Sequence, residues 1–305
     1  MIKLLRPADA VSLGLLRARR GWSELTAATW PKTPPERREP GFLELLRHGV
    51  LPSPHGRLLG VSVPTQAGAG RVLNGLVDAR GRAGGLVWDV EYLRADRVDT
   101  AVQLMQWVIE QALAARVRRI FIETESEGAG ADVARRAGFE RYSEGAMWRL
   151  EPGFSREVGD SLPARPRLRA DETGLFQLYN AAVPANVRVA EAMTNEEWAA
   201  LYRGPKFWAP KLISDRQDYV WELGSRVVGW MRVAYGQRCQ FLELLIRPDY
   251  ESYGDRMVVN ALVQMSNKVP VLADVREYQG AASAALQRCS PLRRPAGRPP
   301  ETPAP

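Results

Sequence analysis

A chain of 305 residues, 45% hydrophobic and 25% charged, has the composition of a globular protein and is too long for one average domain. Its formal charge of +7 comes almost wholly from arginine, because Lys3, Lys32, Lys206, Lys211 and Lys268 are the only lysines. No apolar run is long enough to span a bilayer, and Met1–Pro7 lacks the apolar region and cleavage site of a signal peptide. Two cysteines, Cys239 and Cys289, allow one disulfide at most and point to a reducing, cytoplasmic compartment. With only His48 and His55 beside them, a metal site is not expected. The positive balance suits an anionic partner such as a phosphate-bearing cofactor. It does not point to nucleic acid, since basic residues form no block and no nucleic-acid motif is present.

Taken in chain order, Ile2–Leu5 reads as a strand and Ala8–Arg20 as a helix with Val11, Leu15 and Leu16 on one face. Residues 31–54 are loop-rich, with a short helix at Phe42–Arg47. Arg57–Val63, Arg71–Asp78 and Gly85–Leu93 are strand candidates. Val98–Ala115 is helical in period, with Val102, Met105, Val108, Ile109 and Ala112 aligned. Ile120–Ile122 is a short β-branched strand, followed by a Gly-rich break at Gly128–Gly130 and an Ala/Arg helix that stops at Gly138. Two short strands close the segment, the second at Ala146–Leu150.

A stretch rich in Pro, Gly and charge, Glu151–Pro166, reads as a linker. Beyond it the order recurs: strand Arg167–Arg169, helix Glu172–Ala182, and a helix at about Asn195–Tyr202 capped by the box Thr194-Asn195-Glu196-Glu197. Tyr219–Glu222, Arg226–Tyr235 and Gln240–Ile246 are strands, the first two joined by a turn at Leu223-Gly224-Ser225. Gly254–Asn267 is a helix, Val269–Val275 a strand and Ala281–Gln287 helical. From Ser290-Pro291 onward, proline content excludes strands and predicts disorder.

The run Arg118–Leu150, with Ala137-Gly138-Phe139 ending its helix, resembles the C-terminal half of a GNAT acyltransferase domain. The same element order twice resembles a tandem GNAT protein over nearly the whole chain. The implied class is α/β, mixed α+β: two tandem GNAT-like acyl-CoA acyltransferase domains, each a twisted mixed sheet flanked by helices. The expected boundaries are 1–152 for the first domain, 153–166 for the linker, 167–290 for the second and 291–305 for a disordered tail. The second domain looks truncated, lacking its last two strands, which leaves its fifth strand as an open edge.

The resemblance implies acetyl-CoA as co-substrate, no metal, and a small-molecule or protein amine as acceptor. It places the pyrophosphate at the turn between the fourth strand and the next helix, where glycines and free N–H groups serve it. Arg97-Val98-Asp99-Thr100 occupies that turn in the first half, with neither glycine and with Asp99 set to repel phosphate. Tyr253, Gly254, Asp255 and Arg256 occupy it in the second half, where one glycine survives. These four and Arg97 are the cofactor-binding candidates, although arginines such as Arg97 and Arg256 are more commonly solvated residues of a helix face. The second half, keeping Gly254, is the expected binder.

By the same resemblance the amine's proton goes to a strand carboxylate: Glu243 in the second half, Asp89 or Glu91 in the first. Alternation puts Glu243 on one face with Phe241 and Leu245. A buried face suits it to general-base work; an open one makes it a solvated carboxylate. The family's helix tyrosine is absent, its positions held by Ala134 and Leu286. Aromatics from Trp198 to Trp230 line either an acceptor pocket or the core. The alternative function is a catalytically inactive GNAT-derived module that binds a ligand or a protein partner.

Overall fold

The computed structural model describes residues 1–6, 9, 57–63, 73–82, 85–154, 162–191, 194, 216–235 and 239–289. The chain forms two compact units, Met1–Glu140 and Arg141–Pro305. Each holds a mixed sheet with its own core and flanking helices.

In the first unit, β1 (Ile2–Leu4), β2 (Arg57–Ser62), β3 (Gly75–Arg82), β4 (Val87–Ala95) and β5 (Arg119–Phe121) lie side by side in that order. Neighbours are antiparallel as far as β4, and β4 pairs parallel with β5. A parallel pair needs a crossover, and α1 (Val98–Ala114) supplies it. Its buried stripe of Ala101, Val102, Leu104, Met105, Val108 and Ala112 covers one face of the sheet together with Val133 of α2 (Ala129–Arg136). The stripe repeats at helical spacing, which is why these residues form a helix against a sheet.

Helix α2 ends in a Schellman turn. Gly138 takes a φ of +92°, Phe139 N–H donates to the Ala134 carbonyl at 2.9 Å, and Gly138 N–H donates to that of Arg135 at 3.0 Å. Phe139 then packs on the same core. Of the two strands expected to close the segment, Arg141–Glu144 is not a strand; an Arg141–Glu144 ion pair lies there instead.

The second unit contains β6 (Gly145–Leu150), β7 (Arg165–Pro166), β8 (Arg216–Leu223), β9 (Arg226–Tyr235), β10 (Gln240–Ile246) and β11 (Val271–Arg276), ordered β6-β11-β10-β9-β8-β7. Only β10 and β11 are parallel. Helices α5 (Gly254–Val263) and α6 (Gly280–Cys289) cover one face through Met257, Val258, Ala261, Leu262, Ala285 and Leu286. Helices α3 (Glu172–Ala182) and α4 (Ala185–Glu191) cover the other, through Leu175, Leu178, Tyr179 and Val187.

Strand β6 corrects the expected domain plan. It does not close the first sheet; it pairs antiparallel with β11 from Leu150↔Val271 to Gly145↔Arg276. The fifth strand of the second sheet therefore has no open edge at that side. Trp148 and Leu150 bury their side chains in the second core, and that burial sets strand membership. The division falls at Glu140/Arg141, ahead of the expected linker, and within that linker Phe154 and Leu162 also join the second core. The first strand of this half is Arg165–Pro166, not Arg167–Arg169, and α4 was not anticipated. The expected helices at 8–20, 42–47 and 195–202, His48, His55, and the tail from Ser290 lie outside the described residues, except for Asp9.

Strand β7 is anchored by charge. Arg165 makes two 2.8 Å bonds to Asp171 and reaches Glu222 at 2.7 Å. The Arg165 guanidinium holds the buried Asp171 carboxyl below the usual carboxylate range, and the hydrogen bonds from Arg165 to Asp171 and Glu222 in turn raise the arginine's affinity for its proton.

Two outcomes follow from this packing. Trp148→Ala should cost about 3–5 kcal/mol, with hydrogen-exchange protection lost in β10 and β11 and retained in β4. Loss in β4 instead would return β6 to the first sheet. Because the folded Asp171 binds its proton more weakly than the unfolded one, its stabilisation is complete above the ordinary carboxylate range and disappears as pH falls through the lowered value. Melting temperature followed from neutral to strongly acid pH should show a shallower acid limb in Asp171→Asn than in the native protein.

Candidate functional site

In open α/β sheets ligands bind beyond the carboxyl ends of parallel strands, at the crevice where neighbours part. Each unit has one such place. In the first, β4 and β5 pair from Val87↔Arg119 to Asp89↔Phe121, and β4 then runs on alone from Val90 to Ala95. In the second, β10 and β11 pair from Gln240↔Val271 to Glu243↔Asp274, and β10 runs on to Ile246.

The last paired residue of the central strand is a carboxylate in both units: Asp89 and Glu243. Each faces an arginine in register on the antiparallel neighbour, Arg80↔Asp89 and Glu243↔Arg232. Each lies on the side away from the two helices that follow, because Trp88 and Val90, or Leu242 and Leu244, fill the helix-covered core.

The surroundings then differ. Strand β4 carries a bulge, with Asp78↔Tyr92 followed by Ala79↔Val90, so Glu91 is the extra residue. Its carboxylate lies 3.4 Å from Arg80. Strand β10 is regular throughout its pairing with β9. There, Arg232 is buried and shared. It holds Asp218 at 2.8 Å, approaches Glu243 at 3.8 Å, and stacks over Trp230 at 5.3 Å. In register, Asp218, Arg232, Glu243 and Asp274 form one polar row across four strands. Glu243 is thus neither free in an apolar site nor fully solvated; it belongs to an ion-paired row.

The cofactor-binding candidates are placed as follows. Arg97 is the exposed N-cap of α1. Asp99, expected to repel phosphate, is bonded to Arg136 of α2 at 2.6 Å. Asp255 stands in the same relation to α5, bonded to Arg288 of α6 at 2.9 Å. An aspartate in the first turn also opposes the positive end of the helix. Arg256 lies over the Tyr253 ring at 5.4 Å. Gly254 is buried with an ordinary helical backbone, and a Cβ there meets Ala281 at 3.3 Å. Its small size therefore serves the packing of α5 on α6. Tyr253, Gly254, Asp255 and Arg256 share one turn, but helix packing, an ion pair and a ring contact engage all four of them.

Three groups escaped the sequence reading. Arg136 and Arg288 are the cations beside the helix starts, and their signal was an Asp at the second helix position followed by an Arg late in the next helix. Gln279 is the third. Its Nε2 donates to the Leu244 carbonyl at 2.5 Å, and its Oε1 accepts from Arg276 N–H at 2.7 Å. It joins β10 to the end of β11 one residue past their last pairing.

A further cluster lies under α3. Tyr179 donates to Glu191 at 2.5 Å, and Tyr142 and Tyr278 pack nearby. Burial, before any charge, pushes the Tyr179 and Tyr278 phenols well above the usual range. Of the aromatic run, Trp221 is fully buried with its indole N–H bonded to the Leu162 carbonyl at 3.0 Å, and Trp230 is buried beneath Arg232. Both are core residues. Trp198, Tyr202, Phe207 and Trp208 lie outside the described residues. Cys239 is buried, and among the described residues no cluster of metal-ligating side chains occurs. No described helix is long and apolar enough to cross a membrane.

No family model and no curated protein matches the chain. Among solved structures it is similar to a tandem GNAT protein from the clavulanic acid biosynthesis pathway, at 13% identity and a TM-score of 0.49 over 94% of both chains. It is also similar to a GCN5-related N-acetyltransferase from Sphaerobacter thermophilus, at 14% identity and a TM-score of 0.48 over 90% of this chain and 86% of that one. A GNAT-family acetyltransferase from Colwellia psychrerythraea overlaps 95% of both chains at 9% identity and a TM-score of 0.42.

Arg232→Ala should remove the cation between Asp218 and Glu243, leaving two partly buried carboxylates on either side of β9, and destabilise the second unit by about 3–5 kcal/mol. Urea unfolding followed by Trp221 and Trp230 fluorescence measures this. A change below about 1 kcal/mol would mean that water already screens the row.

Proposed function

We propose that this chain is a GNAT-type N-acyltransferase that moves an acetyl group from acetyl-CoA to an amine. The observation that carries the reading is the repeated arrangement at the parallel pair. In each unit a carboxylate sits where the strands part, and helical structure starts soon after the central strand's end: α1 after β4, and the 3-10 helix Pro248–Tyr253 leading into α5 after β10. The amine nitrogen attacks the thioester carbonyl directly and forms the new C–N bond. The carboxylate, Asp89 or Glu243, takes the amine's proton, and the C–S bond breaks to release the CoA thiolate. Arg97 in the first unit and Tyr253, Gly254, Asp255 and Arg256 in the second are the groups at the helix starts where the phosphates lie in this reading. For the thiolate's proton, water serves where the helices carry Ala134 and Leu286.

A second reading is supported by the helix starts themselves. Neither offers a pair of glycines, both place an aspartate in the first turn, and Gly254 is packed against Ala281. A phosphate arriving there must compete with that aspartate for Arg136 or Arg288. This favours a module that keeps the fold and binds a ligand or partner without turnover.

Thermal-shift titration and thiol release separate the two. Acetyl-CoA at a hundredfold excess over its Kd should stabilise the binding unit by about 2.7 kcal/mol. Release of free thiol in the presence of an amine panel reports turnover, and loss of the carboxylate base should lower kcat by roughly 10²–10⁴-fold. Asp89→Asn and Glu243→Gln made singly identify the working unit. Binding without thiol release from any amine supports the inactive module, and no shift at all removes the acyltransferase reading and leaves a module for another ligand or partner.

A further inference from the structure

The second parting of strands is already bridged. Past Glu243↔Asp274 the backbones of β10 and β11 separate, and the Leu244 carbonyl points into the gap. Gln279 fills it from the turn after β11. Its carboxamide gives a hydrogen to Leu244 and takes one from Arg276 N–H. Its own backbone N–H closes the turn on the Arg276 carbonyl at 2.9 Å. One planar amide therefore does for the two strands what the next residue of a third, inserted chain would do. In the acyl-CoA reading, an extended arm bearing amides, such as pantetheine, would compete with Gln279 for these same two backbone groups.

The path beyond is narrowed too. Gly254, at the start of α5, has Ala281 of α6 in van der Waals contact with the place a Cβ would take, and the Asp255–Arg288 pair ties the two helices together further along. Gly280 leads into that helix directly from Gln279, so the bridging side chain and the packed helix start belong to one short stretch. The first unit has no glutamine at the matching place, which is Thr124 or Glu125 after β5.

We propose that Gln279 is a resident occupant of the second strand gap, a side-chain amide in the seat of a ligand amide, and that it closes the second unit to pantetheine-type arms. The inference rests on the acyl-CoA reading for its choice of ligand. It divides the two units: the second keeps the architecture of the site but fills it from within.

Hydrogen exchange of the full chain with and without coenzyme A and acetyl-CoA tests this. In the unmodified protein, peptides covering Glu243–Arg256 should show no added protection from either compound. In Gln279→Ala and Gln279→Gly the gap loses its occupant, and protection of those peptides should appear, with affinity at the second unit rising on the order of tenfold or more. Protection of Glu243–Arg256 in the unmodified chain overturns the proposal, because the glutamine then moves aside as a gate. Absence of protection there in both variants also overturns it, since something other than Gln279 then closes the gap. If that absence comes with protection of Val90–Ala101, only this inference falls. If no peptide of any protein responds, the acyl-CoA reading falls with it. Should the variants unfold, their melting curves reveal it, and the unmodified chain still decides by its own exchange.

Discussion

Two parallel strands cannot be joined by a tight turn, and this constraint organises both units. Each sheet has a single parallel pair, and each pair is bridged by a helix whose apolar stripe lies back on the sheet. Once that crossover forms, the carboxyl ends of the two strands point the same way and the helix begins close beside them. A carboxylate at the last paired position and an arginine in register on the antiparallel neighbour then meet as a consequence of register. The candidate site is therefore a product of topology before it is a product of particular side chains.

The units part company in how they treat the open places that this topology creates. A sheet edge and a strand gap both expose backbone groups that need partners. In the second unit both needs are met from within the chain. Strand β6 supplies the edge of β11 with a full antiparallel ladder, and Gln279 supplies the gap with one amide. The stretch Gly145–Leu150, just before the expected linker, thus completes this side of the second unit's sheet.

The arginine excess takes on a different meaning in the fold. Arg136 and Arg288 neutralise helix-start aspartates, Arg165 binds Asp171 and Glu222, and Arg232 bridges Asp218 and Glu243. Arginine suits such roles because its planar fork holds two carboxylates at once and never loses its charge. Much of the charge that composition alone ascribes to an anionic ligand is engaged in holding helices and strands in place. A phosphate ligand would meet these cations already paired.

What was legible in the sequence was local. Helical stripes such as Val102–Met105–Val108–Ala112, the Gly138 cap with its Phe139 anchor, the Gly224 turn and the β10 run each depend on contacts a few residues apart, so spacing reveals them. The repeated element order was legible for the same reason, and so was the pairing of a carboxylate with each central strand. Only the tertiary structure decided the rest. Strand β6 reads as the end of the first half by sequence, but Trp148 and Leu150 find their apolar partners in the second core. Gly254 reads as a phosphate glycine, but its neighbour is Ala281, 27 positions further along by number. Gln279 carries no pattern at all: its meaning lies in a carbonyl 35 residues away in sequence, brought within hydrogen-bond reach by the crossover between two strands. Periodicity records which face of an element is buried, and it holds no record of which distant element does the burying.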